Sequence, residues 1–145
     1  MNAYYNERTI MENPSAFPIG EPNDGFAQYF VGQSYLASVL NTPEFSIHNV
    51  TFEPGCRNNW HIHHGGAQVL IAVGGRGYYQ IEGQEPKELK AGEAVCIPAD
   101  TKHWHGAAPG ESFSHLAFMV PAGDPDAMSN EWLEPVDAQA YESLA

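Results

Sequence analysis

The sequence predicts an all-β protein with one antiparallel barrel or sandwich, and three observations lead to this prediction. Six short runs rich in β-branched and aromatic residues begin about ten to fifteen residues apart. Glycine and proline, with 14 and 11 residues, separate these runs where turns are expected. No helical periodicity lasts long enough to favour a helical bundle. With 145 residues and 43% hydrophobic composition, the chain suits one globular domain.

The predicted strands follow one another along the chain, each bounded by turn residues. In order they span residues 28–40, 45–52, 67–73, 77–83, 93–99 and 113–120. One short helix is predicted near the C-terminus, where Asp137 follows Pro135 and is suited to cap it.

We divide the chain into three parts on this basis. Residues 1–25 form an N-terminal arm, residues 26–122 the barrel, and residues 123–145 a tail with the short helix. The arm is polar and contains prolines, so we expect it to lie on the barrel or on a partner subunit, or to be partly disordered.

The net charge of the chain excludes some classes of binding partner. The net charge is −12, with 6 Lys and Arg against 18 Asp and Glu. Such a surface repels a phosphate backbone, so neither nucleic acid nor an anionic membrane is expected to bind. No apolar run approaches the roughly 20 residues of a membrane helix, and the N-terminus shows no secretory signal. Without a secretory signal we expect a cytoplasmic protein. We also expect its partner to be a small molecule, although the charge itself sets no substrate.

The histidines point to a metal site. Three of the seven lie together as His61, His63 and His64. Alternate residues of a β-strand share a face, so His61 and His63 project together and His64 points away. Two imidazoles on one face form half of a metal site. Gln68 begins the next strand, and its carbonyl oxygen can bind a metal directly or hold a metal-bound water.

A second pair of histidines, His103 and His105, also shares one face. Either residue can complete a site with His61 and His63. Three imidazoles and one oxygen leave coordination positions open, which is typical of catalytic metal sites rather than structural ones.

The spacing of these residues resembles the two motifs of the cupin superfamily. The first is a glycine, five residues, His-x-His, three or four residues, an acidic ligand, six residues and a glycine; here it matches Gly55, His61, His63, Gln68 and Gly75. The second is a glycine, five residues, Pro-x-Gly, two residues and a histidine; here it matches Gly92, Pro98, Asp100 and His103. The resemblance implies a jelly-roll barrel, or double-stranded β-helix, with metal ligands at His61, His63, Gln68 and His103.

Two positions depart from these motifs. Gln68 replaces the acidic ligand, so a bound metal keeps more of its charge and is held less tightly, but is more electrophilic. Asp100 replaces a turn glycine. Aspartate adopts the left-handed backbone conformation more readily than most residues, so we expect the turn to be retained.

Two longer stretches resemble particular groups within the cupin superfamily. "NVTFEPGCRNNWH" and "HWHGAAP" resemble small cupins associated with carboxymuconolactone decarboxylase-like proteins, and cupin-type hydroxynitrile lyases. Those lyases bind manganese and cleave or form cyanohydrins. The resemblance implies one divalent metal per chain, manganese above iron, zinc or nickel. It also implies a homodimer, because small cupins commonly pair.

Two more histidines are predicted to face the barrel interior. His115 shares a strand face with Phe113 and Met119, and His48 shares one with Val50. A polar group on an apolar face is costly unless it is bonded or functional. His115 matches a pocket histidine of the lyase-like cupins and is the candidate general base, with His105 as a second acid or base. The predicted pocket wall is His48, Val50, Phe113 and Met119. The alternative is that His48 and His115 bond to backbone carbonyls or face outward.

The predicted function is that of a metal-dependent lyase. A Lewis-acidic metal and a histidine would make or break a carbon–carbon bond, or decarboxylate a small oxo-acid. Three alternatives stay open: an accessory or ligand-sensing module for a carboxymuconolactone decarboxylase-like partner, an iron-dependent dioxygenase, and a barrel that has lost its metal.

Overall fold

The computed structural model of the protein describes residues 11–145, and β-strands dominate it. The strands are β1 (Glu21–Pro22), β2 (Phe30–Val31), β3 (Ser34–Asn41), β4 (Ser46–Phe52), β5 (Arg57–Asn58), β6 (His61–His64), β7 (Gly66–Ile81), β8 (Lys87–Lys90), β9 (Ala94–Ile97), β10 (His103–Ala107), β11 (Phe113–Pro121) and β12 (Ser129–Trp132). Two short 3-10 helices span Asp24–Tyr29 and Pro125–Ala127, and the C-terminal helix α1 spans Ala138–Glu142.

The strands form one curled antiparallel sheet with two halves. The first half has the order β1-β3-β4-β11-β7, with β9 also on β7. The second half has the order β7-β10-β5-β2, with β8 on β7 and β6 lying between β10 and β12. The predicted all-β barrel with a short C-terminal helix is confirmed.

The long strand β7 belongs to both halves of the sheet. Its first part pairs with β11 and β9, and its second part pairs with β10 and β8. The sequence predicted two strands here, and the structure shows one strand that turns at the Gly74-Gly75 pair. Gly75 has φ +68°, and a Cβ at this position would overlap the carbonyl oxygen of Ser112. Only glycine allows this turn without strain.

An apolar core fills one end of the barrel. Phe52 and Phe113 are fully buried, are paired across β4 and β11, and their ring centroids lie 6.0 Å apart. Leu70, Ala107 and Cys56 join the same buried cluster. Each Å² of apolar surface buried in this way stabilises the folded state by about 25 cal/mol. This apolar end of the barrel therefore stabilises the fold, and the polar groups described below lie outside it.

The first described residues lie against the barrel. Asn49 donates a hydrogen bond from Nδ2 to the carbonyl of Pro18 at 2.9 Å. The described part of the predicted arm therefore lies on its own chain, and residues 1–10 lie outside the described residues. The sheet begins earlier than predicted, because β1 lies within the segment assigned to the arm.

The tail supplies a strand as well as the predicted helix. The carboxylate of Asp137 accepts the backbone N–H of Ala140 at 2.9 Å, which is the expected helix cap. Tyr141 on α1 is buried against Trp104 and donates its hydroxyl to the carbonyl of Ala107. Within residues 11–145, no helix is long and apolar enough to span a membrane.

Candidate active site

The structure brings the predicted metal ligands together at the polar end of the barrel. His61 on β6 and His103 on β10 are direct antiparallel partners, and their ring centroids lie 4.3 Å apart. The ring of His63 lies 5.0 Å from that of His61 and 5.4 Å from that of His103. Gln68 enters from the start of β7, so both halves of the sheet contribute to the cluster.

Backbone carbonyls fix the protons of two of these imidazoles. His61 donates from Nδ1 to the carbonyl of Asn59 at 2.8 Å, and His103 donates from Nδ1 to the carbonyl of Thr101 at 2.9 Å. A carbonyl can only accept, so the proton of each neutral ring is on Nδ1. The Nε2 atoms of both rings therefore carry free lone pairs.

The proton of His63 is also on Nδ1, but a side chain rather than a backbone carbonyl accepts its hydrogen bond. Its Nδ1 donates to Oδ1 of Asn130 at 2.7 Å, which leaves Nε2 without a proton. Gln68 Oε1 lies 3.1 Å from this Nε2 and 3.2 Å from Nε2 of His103. With both rings protonated on Nδ1, the two Nε2 atoms and Gln68 Oε1 are all acceptors, so none of them can donate a hydrogen bond to another. A cation satisfies such a set, so the residues fit a divalent transition metal with nitrogen and oxygen ligands.

Burial keeps these imidazoles neutral. It lowers the pKa of His61 well below its usual value, and the neighbouring His103 lowers it further. Burial also lowers the pKa of His63, and it lowers the pKa of His103 to about 4. The lone pairs are therefore available at neutral pH, which metal binding requires.

A second pair of histidines lies deeper in the barrel. Nδ1 of His105 and Nε2 of His115 are 3.0 Å apart, so one of the two nitrogens donates a proton to the other. Burial lowers the pKa of His105 well below its usual value, with His115 adding to the effect. Burial also lowers the pKa of His115 to about 4. The pair is neutral at pH 7 and can accept a proton.

His105 connects this pair to the cluster at the polar end. Ring nitrogens of His61, His103 and His105 all lie within 4.8 Å of one another, and these three could also hold a metal ion. His105 can therefore contact a metal or a substrate bound to that metal. The position of His105 suits both a metal ligand and a group that contacts the substrate.

Asn58 orients His105 and was missed in the sequence. Its Oδ1 accepts the backbone N–H of His105 at 2.9 Å, so its Nδ2 must face the imidazole, 3.3 Å from Nε2. Both residues are buried. Asn58 lies on the two-residue strand β5, which is too short for a period-2 pattern to show which way its side chains point.

A cavity of about 580 Å³ leads to the histidines. Its wall includes three of the predicted pocket residues, His48, Val50 and Met119, along with the His105–His115 pair. His48 is half-buried on this wall, and its side chain has no hydrogen-bond partner among residues 11–145. Glu44 is the single charged residue on the wall among residues 11–145.

Phe113 requires a correction, because it does not line the cavity. The sequence correctly placed it on the inward face with His115, and the two rings lie 5.6 Å apart. It is fully buried in the apolar core, opposite Phe52 and beside the turn at Gly75. The alternation of side chains along a strand predicted which face Phe113 lies on, but not its position along the barrel axis.

The tail strand β12 also contributes to the wall. Trp132 packs on His61 with ring centroids 4.7 Å apart, and Asn130 holds His63. Neither residue was predicted. The short alternating segment "SNEW" was a weak signal for a strand, and nothing in the sequence indicated its partner.

Asp100, which departs from the second motif, has a clear structural role. Asp100 has φ 62°, so it adopts the predicted left-handed conformation. Its carboxylate accepts the backbone N–H of Gly65 and lies 3.3 Å from Nδ1 of His64. His64 is at the surface and also contacts Glu131, as its parity predicted.

Comparisons with known proteins agree with this geometry. The model of the cupin domain matches residues 48–120. The chain belongs to the cupin family. This cupin is also 36% identical to an (R)-mandelonitrile lyase of Granulicella tundricola over 120 residues. The aligned region covers 81% of this chain and 88% of that protein.

Solved structures show the same fold. A cupin-like protein of Thermotoga maritima is 31% identical, with a TM-score of 0.78 over 90% of this chain and 96% of that one. The DMSP lyase DddQ of Ruegeria pomeroyi is 17% identical, with a TM-score of 0.59 over 85% of this chain and 58% of that one. At that identity the second match supports the fold alone.

Proposed function

We propose that this cupin is a divalent-metal-dependent lyase that cleaves and forms the carbon–carbon bond of small 2-hydroxynitriles. The observation that carries the proposal is the acceptor-only cluster of His61, His63, Gln68 and His103 beside a buried pair of neutral histidines. The relative from Granulicella tundricola, a mandelonitrile lyase by name, supports the same reaction class.

The four cluster residues would hold the metal, with manganese expected and iron, zinc or nickel as alternatives. A bound divalent cation supplies Lewis-acid polarisation of a substrate oxygen. All four donors are neutral, so they leave the cation its full charge. The Nδ1 hydrogen bonds of His61 and His103 to backbone carbonyls hold the rings in place.

The His105–His115 pair would move the proton. Cleavage removes the hydroxyl proton, forms the carbonyl from the C–O bond, and releases the cyano group with the electron pair of the C–C bond. A ring nitrogen of the pair takes the hydroxyl proton and later returns it to cyanide, giving an aldehyde and HCN. Because burial lowers the pKa of both histidines, the imidazolium that forms is a strong acid and returns its proton readily.

The cavity wall favours an uncharged substrate. Among the described residues no lysine or arginine lines it, and Glu44 would repel an anion. Apart from the proposed metal itself, a carboxylate substrate would find no cationic group, so the side chains of the wall favour a hydroxynitrile over an oxo-acid. Phe26, Phe45 and Trp132 on the wall suit an aromatic or aliphatic substituent.

Turnover and metal content together test the proposal. The purified chain is loaded separately with Mn, Fe, Zn and Ni, and (R)-mandelonitrile cleavage is followed as benzaldehyde release. We expect about one metal per chain by mass spectrometry, and turnover that a chelator removes. His61→Ala should lose both, whereas the surface variant His64→Ala should keep both. A metal-loaded chain without turnover overturns the lyase and favours an accessory or ligand-sensing role, and oxygen uptake with iron would favour a dioxygenase.

We also propose that the chain forms a homodimer. Val39, Leu40 and Val120 are apolar side chains between 37% and 47% exposed near the ends of β3 and β11. A second copy covering such side chains would remove them from water. Sedimentation equilibrium tests this, and a monomer at micromolar concentration contradicts it.

A further inference from the structure

The tail strand β12 pairs directly with β6, the strand that carries the proposed metal ligands His61 and His63. In the described part of the chain it pairs with β6 and with no other strand. The register places Asn130 opposite His63 and Trp132 opposite His61. β12 lies beyond residue 120, where the match to the cupin domain ends. β12 therefore lies outside the part of the chain that matches the cupin domain, although it pairs with the strand that carries His61 and His63.

Trp132 fixes β12 in position. One face of its indole packs on His61 with ring centroids 4.7 Å apart, and Tyr29 stacks on it at 4.5 Å with an interplanar angle of 3°. Trp132 therefore anchors β12 to the rings of His61 and Tyr29. The pairing of β12 with β6 then places the Asn130 side chain within hydrogen-bond distance of His63.

Asn130 differs from the groups that orient the other two imidazoles. His61 and His103 donate to backbone carbonyls, which a substitution does not remove. His63 donates to a side chain, Oδ1 of Asn130, at 2.7 Å. Of the three imidazole ligands, only His63 has its proton position set by a residue that can be exchanged.

We infer that Asn130 is a positioning residue of the metal centre, which sets the affinity for the cation by holding the proton of His63 on Nδ1. This inference rests on the proposed metal centre. Without an acceptor at this place, His63 can carry its proton on Nε2, the atom that must bind the cation, or rotate away from it. A carboxylate at the same place would hold the proton more strongly and make Nε2 a better donor.

The test measures the dissociation constant of Mn²⁺ alone by competition with a chelator, so that activity is not needed. Asn130→Ala is expected to weaken Mn²⁺ binding by about tenfold, the lower end of the range for such partners because Asn130 is exposed. Asn130→Asp is expected to tighten Mn²⁺ binding. The matched control is Ser129→Asp, which adds the same charge on the adjacent residue of β12, opposite the surface His64. It should leave the constant within about twofold, because solvent screens an exposed charge.

The three variants separate positioning from a merely structural role. Opposite effects of Asn130→Ala and Asn130→Asp, with Ser129→Asp unchanged, support the inference. Equal weakening by both Asn130 variants, or no effect of either, overturns it while the metal centre stands. Tightening by Ser129→Asp to the same extent as by Asn130→Asp also overturns it, because charge alone would then explain the gain. A wild-type chain that takes up no metal overturns the centre and the inference together.

Discussion

Lowering the pH from 7 to 5 is expected to destabilise the metal-free protein by about 4 kcal/mol through His103 and His115 alone. Both side chains have a pKa of about 4 in the folded protein, because they are buried, against 6.5 for the free side chain. Below pH 6.5 the unfolded chain therefore binds protons that the folded chain does not. This contribution to stability is complete above pH 6.5 and is lost as the pH falls towards 4.

The magnitude follows from proton linkage. Each pH unit between the two pKa values costs about 1.4 kcal/mol per group. Between pH 6.5 and pH 5 each imidazole thus costs about 2 kcal/mol. Burial shifts the pKa of His61 and His105 in the same direction, so their titration adds to this loss. A loss of this size is a large part of the total stability of a small domain.

The assay is urea unfolding of chelator-treated protein at pH 7 and pH 5. His115→Gln should reduce the loss between the two pH values by about 2 kcal/mol, since one titrating group is removed. His64→Gln is the matched control, because the surface His64 has a pKa raised by its hydrogen bond to Glu131. Its removal should not reduce the acid loss. Equal unfolding free energies at the two pH values, or an unchanged loss in His115→Gln, would refute the reasoning.

Three further substitutions test separate parts of the structure. Gln68→Glu should tighten Mn²⁺ binding in a chelator competition and slow turnover, because an anionic ligand neutralises part of the metal charge; weaker binding would contradict this. Gly75→Ala should lower the unfolding free energy by more than about 2 kcal/mol, because it combines positive φ with overlap on Ser112; a smaller loss in urea unfolding would argue against the turn. Tyr141→Phe should cost about 1 kcal/mol through loss of the bond to Ala107, and an unchanged thermal midpoint would contradict that.

Local periodicity explains what could be predicted from the sequence. The period of two places His61 and His63 on one face of β6, and the same rule applies to His103 and His105 on β10. Motif spacing then linked the two strands. The fold class followed from the turn residues and the short strand runs, which also reflect local chain geometry.

Features that depend on distant contacts could not be predicted in this way. Asn58 and Asn130 act through residues 47 and 67 positions away, and a single sequence does not reveal such pairs. The continuous strand β7 was read as two strands because a glycine pair normally marks a turn. Here the pair bends the strand from one half of the sheet into the other without ending it.

In the proposed metal centre, the division of the ligands between the two halves of the sheet would couple the supply of metal to the stability of the protein. Gln68 belongs to the half with β11 and β9, and His61, His63 and His103 belong to the half with β10. A cation held by all four is a cross-link that only the closed barrel can form. At a free metal concentration one hundred times the dissociation constant, it stabilises the fold by about 2.7 kcal/mol. Metal starvation would then remove the protein by unfolding and proteolysis, as well as removing its chemistry.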